Sequence, residues 1–116
     1  MNFKLRGSNS TEQMDINRKN GRLGERIAKD DYRNLGYDIL DVKSGMFFDF
    51  AAVRFLDEKL DLVFVECKVG NAHMSRRQIQ FKRWCQKAGQ NFFLYQIPNE
   101  RLRYLMENEI GVGDLR

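Results

Sequence analysis

No apolar run in the sequence is long enough to cross a membrane, and the N-terminal stretch lacks the apolar core of a secretion signal. A cytoplasmic protein without a membrane partner is therefore the expectation. Cysteine is scarce. Cys67 and Cys85 have no metal-type spacing and do not suggest a disulfide framework, so both read as reduced thiols, Cys67 in a buried position. His73 is the single histidine. That argues against a zinc site, and His73 reads as a solvated loop residue. There is one proline and no repeat, linker or low-complexity tract, which at 116 residues leaves a single domain spanning 1–116. With 42% apolar and 31% charged residues a core can form without a disulfide scaffold.

What is present is an uneven charge. The net charge is +4. Residues 1–24 hold five Lys/Arg against two acids, residues 72–103 hold seven against one, and residues 25–68 hold ten acids against seven bases. Basic ends around an acidic middle suit a protein that holds a polyanion and sets a metal ion against it. A solvated surface without a partner has the same composition.

Residues 1–16 read as a weakly structured, flexible arm, with a polar turn at Gly7-Ser8-Asn9-Ser10-Thr11. Leu23, Ile27, Ala28 and Leu35 repeat at helical spacing from about Gly21, and Gly36 follows as a stop signal. Strands are expected at Tyr37–Val42, Phe47–Phe55 and Leu60–Lys68, with turns at Ser44-Gly45 and Asp57–Lys59. Ser75 and Gln78 fit a capping box that opens a second helix. Its Ile79, Trp84, Cys85 and Ala88 can face the core while its bases stay wet. A strand at Asn91–Ile97, a helix to about Met106 and a frayed tail over 107–116 complete the chain. The order α-β-β-β-α-β-α gives an α/β fold: a hairpin, a parallel crossover and a mixed sheet flanked by helices.

The stretch Leu60–Lys68 is nearly all apolar, yet it ends with Glu66 and Lys68 on one face. Asp49 is embedded in the preceding apolar strand. If the two strands pair across Asp57–Lys59, partners sum to about 115–116, and Asp49 falls opposite Glu66 to Cys67. Two close carboxylates need a cation between them or a proton on one. Mg²⁺ commonly binds through one or two carboxylates with phosphate and water, and Mn²⁺ is a natural substitute. Lys68 can orient or deprotonate a water there, or stabilise charge on phosphate. The bland reading is a strand-end ion pair.

Asp49 followed by Glu66-Cys67-Lys68 resembles the D…(D/E)-x-K motif of the PD-(D/E)XK nuclease superfamily, whose restriction-endonuclease-like core has the same αβββαβ order. The run Asn17-Arg18-Lys19-Asn20-Gly21-Arg22-Leu23-Gly24-Glu25-Arg26 is similar to the opening of archaeal-type Holliday junction resolvases. The resemblance spans roughly residues 17–97. It implies a metal-dependent DNA endonuclease acting as a homodimer on branched DNA. Glu25, Asp49 and Glu66 would be metal ligands, Lys68 catalytic, and Gln78 part of the site. Arg18, Lys19, Arg22, Arg76, Arg77, Lys82 and Arg83 would hold DNA phosphates.

Alternatives stay open. Glu25 suits the first turn of any helix, Gln78 can serve only the cap, and Ser44 and Asp61 read as turn residues. Trp84 and the Phe92-Phe93 pair read as core. The substrate can equally be single-stranded or flap DNA, as in repair or a virus or mobile element. The fold can also serve as a binding module without catalysis.

Overall fold

The computed structural model describes residues 3–42 and 47–108, with side chains from Glu12 onward. Its elements are helix α1 (Phe3–Asn34), strands β1 (Asp38–Asp41), β2 (Phe50–Leu56) and β3 (Lys59–Val69), helix α2 (Arg76–Ala88), strand β4 (Asn91–Ile97) and helix α3 (Asn99–Asn108). This is the order read from the sequence. The strands form one mixed sheet, β1-β2-β3-β4, antiparallel except for the β3–β4 pair. Among the described residues no helix is long and apolar enough to cross a membrane.

Helix α1 starts at Phe3, not near Gly21, so residues 3–16, expected as a flexible arm, are helical. Extending a packed helix avoids the cost of a new nucleus. Gln13 also bonds Asn17 and Arg18 pairs with Asp15 along the exposed turns. The expected Ser44-Gly45 turn, and the expected tail from residue 109 on, lie outside the described residues.

The β2–β3 register follows from a two-residue turn. Phe50 faces Val65 and Leu56 faces Lys59, with Asp57 and Glu58 both at positive φ (52° and 66°). Paired positive φ values are the pattern of a type I′ hairpin turn, whose twist matches the flanking strands. Asp61 is not a turn residue. It sits within β3, accepts hydrogen bonds from Tyr37 Oη (2.6 Å) and Arg54 Nε (3.1 Å), and is half-buried. Arg54 lies 4.3 Å from the Tyr37 ring centroid and donates to the Leu35 carbonyl (2.9 Å). This network locks the end of α1 to the hairpin. The Tyr37 bond and then Arg54 hold the Asp61 carboxyl below its usual range.

One sheet face carries Phe50, Ala52 and Val65, which pack on Ala28 of α1 with Tyr32, Tyr37 and Tyr95 around them. Next to it, Ile27 meets Ile97 and Leu102, joining α1 to β4 and α3. Gly24 permits this approach: a Cβ there would stand 2.8 Å from Val69 Cγ2 and 3.2 Å from Ile97 Cδ1. Leu35, the last of the residues at helical spacing, is 62% exposed, and Tyr32 packs on the core one turn earlier.

The opposite face meets α2. Ser75 caps this helix with its side chain, and Gly89 ends it in the left-handed conformation. Cys85 is buried as expected and Gln78 with it, and Phe81 contacts Phe64 of β3 edge-on at 5.2 Å. Trp84 and Ile79 are not core: they are 52% and 36% exposed. The inward stripe of α2 is set by Gln78, Phe81 and Cys85: it keeps Cys85 of the expected stripe, turns Gln78 and Phe81 inward in place of Ile79 and Trp84, and leaves Ala88 exposed.

Candidate metal and phosphate site

The antiparallel ladder ends where β2 bends. The Asp49 amide still donates to the Val65 carbonyl (2.9 Å), but the Asp49 side chain replaces the next ladder bond: its Oδ2 accepts the Cys67 amide at 2.7 Å. The carboxylate is thereby pinned across β3, beside Glu66. Cys67 contributes through its backbone. Burial, and then the charges of Asp49, Glu25 and Glu66, push its thiol well above the usual range, so it supplies no thiolate here.

Glu66 is 2% exposed. One of its oxygens, Oε2, takes two donors: Gln78 Nε2 at 2.6 Å and Lys68 Nζ at 3.1 Å. The other, Oε1, is out of water without a donor. A buried carboxylate oxygen without a partner is costly. Burial raises the Glu66 carboxyl to about 7, with the Asp49 charge next and Lys68 opposing. In the absence of a cation, a proton on one of the two reconciles the acids.

Gln78 closes the cap and also reaches Glu66. Its carbonyl oxygen accepts the Ser75 amide (2.8 Å) and its backbone amide reaches Ser75 Oγ (3.2 Å), while its NH₂ end holds Glu66. The amide has a donor end and an acceptor end, so closing the cap aims the other end at the site.

A cleft of about 390 Å³ collects these groups: Arg18, Gly21, Arg22 and Glu25 from α1, and Asp49, Glu66, Cys67, Lys68 and Gln78 from the sheet and α2. It thus brings together all five expected catalytic residues and two of the expected phosphate contacts. Lys19, Arg76, Arg77, Lys82 and Arg83 do not line it. His73 is exposed in the loop before α2.

The expected three-carboxylate convergence is not reached. Among the described residues, no three His, Cys, Asp or Glu side chains stand close enough together to hold a metal ion. Glu25 lines the cleft, but its Oε2 is 3.2 Å from Lys29 Nζ, which also pairs with Asp41 at 2.6 Å. Burial works against the charge on Lys29, and the bonds to Asp41 and Glu25 outweigh it, so its pKa is raised. Lys29 was not foreseen. Its spacing of four from Glu25 was visible in the sequence, but pairing with Asp41 depends on where β1 lies.

No family model matches the chain, and comparison with characterised proteins and with solved structures likewise gives no match.

Proposed function

We propose that the chain is a metal-dependent nuclease that hydrolyses phosphodiester bonds in DNA, with the αβββαβ core of the PD-(D/E)XK superfamily. The observation that carries the reading is the single cleft in which Asp49, Glu66, Lys68 and Gln78 face Arg18 and Arg22. The donor set fits a hard divalent ion. Asp49 and Glu66 are two adjacent carboxylates, and Glu66 Oε1 is buried with no donor. They would hold Mg²⁺ or Mn²⁺, which when bound supplies Lewis-acid polarisation of a phosphate oxygen and acidifies a water.

The chain's own residues do the rest. Gln78 and Lys68 fix the Glu66 carboxylate through one oxygen and leave the other free. The Cys67 amide fixes Asp49. Lys68, its side chain only 19% exposed, is placed to hold a water or a phosphate oxygen through Nζ. Arg18 and Arg22, one helical turn apart, neutralise the backbone phosphates flanking the scissile one. Cytoplasmic action as a homodimer on branched DNA belongs to the same proposal, since paired cuts in opposed strands need two sites.

A panel of four-way-junction, flap, single-stranded and duplex DNA with Mg²⁺ tests the reading. The expected result is cleavage that EDTA abolishes and that Lys68→Ala reduces about a hundredfold or more. Undiminished cleavage by Lys68→Ala sinks the site assignment. The capture of Glu25 by Lys29 favours a second reading, a nucleic-acid-binding module without catalysis. That module would bind DNA in a salt-sensitive way and cleave nothing in the panel.

A further inference from the structure

We propose that Trp84 is the outer end of an aromatic stack that takes an unpaired base, so that the nucleic acid held beside the cleft is single-stranded. This rests on the nucleic-acid part of the proposed function and narrows its branched DNA to forms with an unpaired strand, such as a flap. Three rings lie nearly parallel in series. Phe48 stacks on Phe81 (centroids 5.2 Å, planes 25° apart), and Phe81 stacks on Trp84 (5.6 Å, 21°). The inner ring belongs to the residue next to Asp49, and the middle one lies one helical turn from Gln78. The outer one, Trp84, is 52% exposed. Phe47, 43% exposed, flanks the middle ring at 5.9 Å. The stack therefore runs from the site to solvent along α2.

Packing alone does not account for it. A core tryptophan would be covered, and a solvated helix face would be polar. The charges name the occupant. Helix α2 carries Arg76, Arg77, Lys82, Arg83 and Lys87 and no acid. A second copy docked symmetrically through the same helix would bring five more positive charges against these five. A peptide would match them only if acidic, and would leave the flat indole face without a planar partner. A single-stranded nucleic acid satisfies both features. Its phosphates track the basic residues, and a base stacks on the indole, as in sequence-tolerant single-strand binders. In a duplex the base faces are already stacked and out of reach. The geometry thus favours single-stranded or flap DNA over an intact duplex arm.

Trp84 is the sole tryptophan, so the emission of the full chain reports on this ring. The test is titration in EDTA at low salt with an oligothymidylate, and separately with a duplex of equal length, binding being followed by anisotropy of a labelled strand. The expected result is saturable quenching by the oligothymidylate, reversed by salt, and much weaker quenching at equal saturation by the duplex. Trp84→Ala should weaken single-strand binding about tenfold or more while duplex binding changes less than about twofold, and Trp84→Phe should restore most of the loss. Three outcomes overturn the proposal: oligothymidylate bound with unchanged emission, Trp84→Ala binding like the wild type, or an emission change that follows protein concentration instead of oligonucleotide. The last would mean a second copy covers the ring. No divalent ion is present, so quenching without Mg²⁺-dependent cleavage elsewhere would sink the nuclease and keep the platform, whereas cleavage without quenching would sink the platform alone.

Discussion

The two faces of the sheet are made by the same strands and have been put to different uses. Under α1, Ala28, Phe50, Ala52 and Val65 close into a dry core with no exposed surface. Under α2, a single 13-residue helix covers the sheet, and beside the buried Cys85 it encloses a carboxylate and an amide, Glu66 and Gln78. The edge of that face leaves Phe55 and Leu60 exposed, at 76% and 57%. Val65 and Glu66 are adjacent in β3 and point to opposite faces, so one residue step separates the packing interior from the carboxylate cleft. The stability supplied on one side is what allows an unpartnered carboxylate oxygen to persist on the other.

The comparison can be broken at its two centres. Phe50→Ala on the core side should cost about 3–5 kcal/mol, a large share of a small domain's stability, and denaturant unfolding would show it. Glu66→Gln on the other side should cost far less or stabilise the metal-free protein, because it removes a buried charge that lacks a full set of donors. Equal losses in the two variants would erase the distinction drawn between the faces.

The same carboxylate gives a pH dependence of defined sign. Glu66 titrates near 7 in the fold and near 4.5 when unfolded. Between those values the folded state binds the extra proton, so stability falls as pH rises from about 4.5 through 7 and is level above. The full effect is at most about 3 kcal/mol. Thermal unfolding of the metal-free protein should follow this slope, and Glu66→Gln should flatten it. An opposite slope in the wild type would mean that the Glu66 carboxylate is better satisfied than its surroundings indicate.

Lys29 sharpens the comparison further, because it holds Glu25 at the boundary between the two faces. Lys29→Met should free Glu25 toward the cleft and tighten Mn²⁺ binding several-fold, as read by electron paramagnetic resonance. Lys29→Arg should keep the wild-type affinity. The smallest effect lies at the hairpin tip: Glu58→Gly removes a side chain from a positive-φ position and should stabilise by about 0.5–1 kcal/mol in chemical denaturation.

Much of this was legible in the chain. The strand partners sum to 115, within the expected window, because turn length and alternation together fix register. The Ser75–Gln78 cap was legible because it is local. What was not legible depends on tertiary placement. Trp84 read as core because helical spacing marks an apolar stripe without saying whether a sheet covers it, and α2 turns Gln78 and Phe81 inward where Ile79 and Trp84 were expected while keeping Cys85 buried. The helical state of residues 3–16 was hidden by their poor propensity, which continuation from a packed helix overrides. Asp61 sits next to the turn in sequence but is claimed by Tyr37 and Arg54 from two other segments. Gly24 gave no sign that Val69 and Ile97 would lie against it.

The central claim is that Asp49 and Glu66 make a cation site in the cleft between α1, the β3 end and α2. Titration of the full chain with Mn²⁺ at about pH 8, followed by electron paramagnetic resonance, tests it most directly. The expected result is one saturable class of bound Mn²⁺, displaced by Mg²⁺ and weakened about tenfold or more in both Asp49→Ala and Glu66→Gln. Mn²⁺ bound equally well by the wild type and both variants, or not bound by any of them, would contradict it.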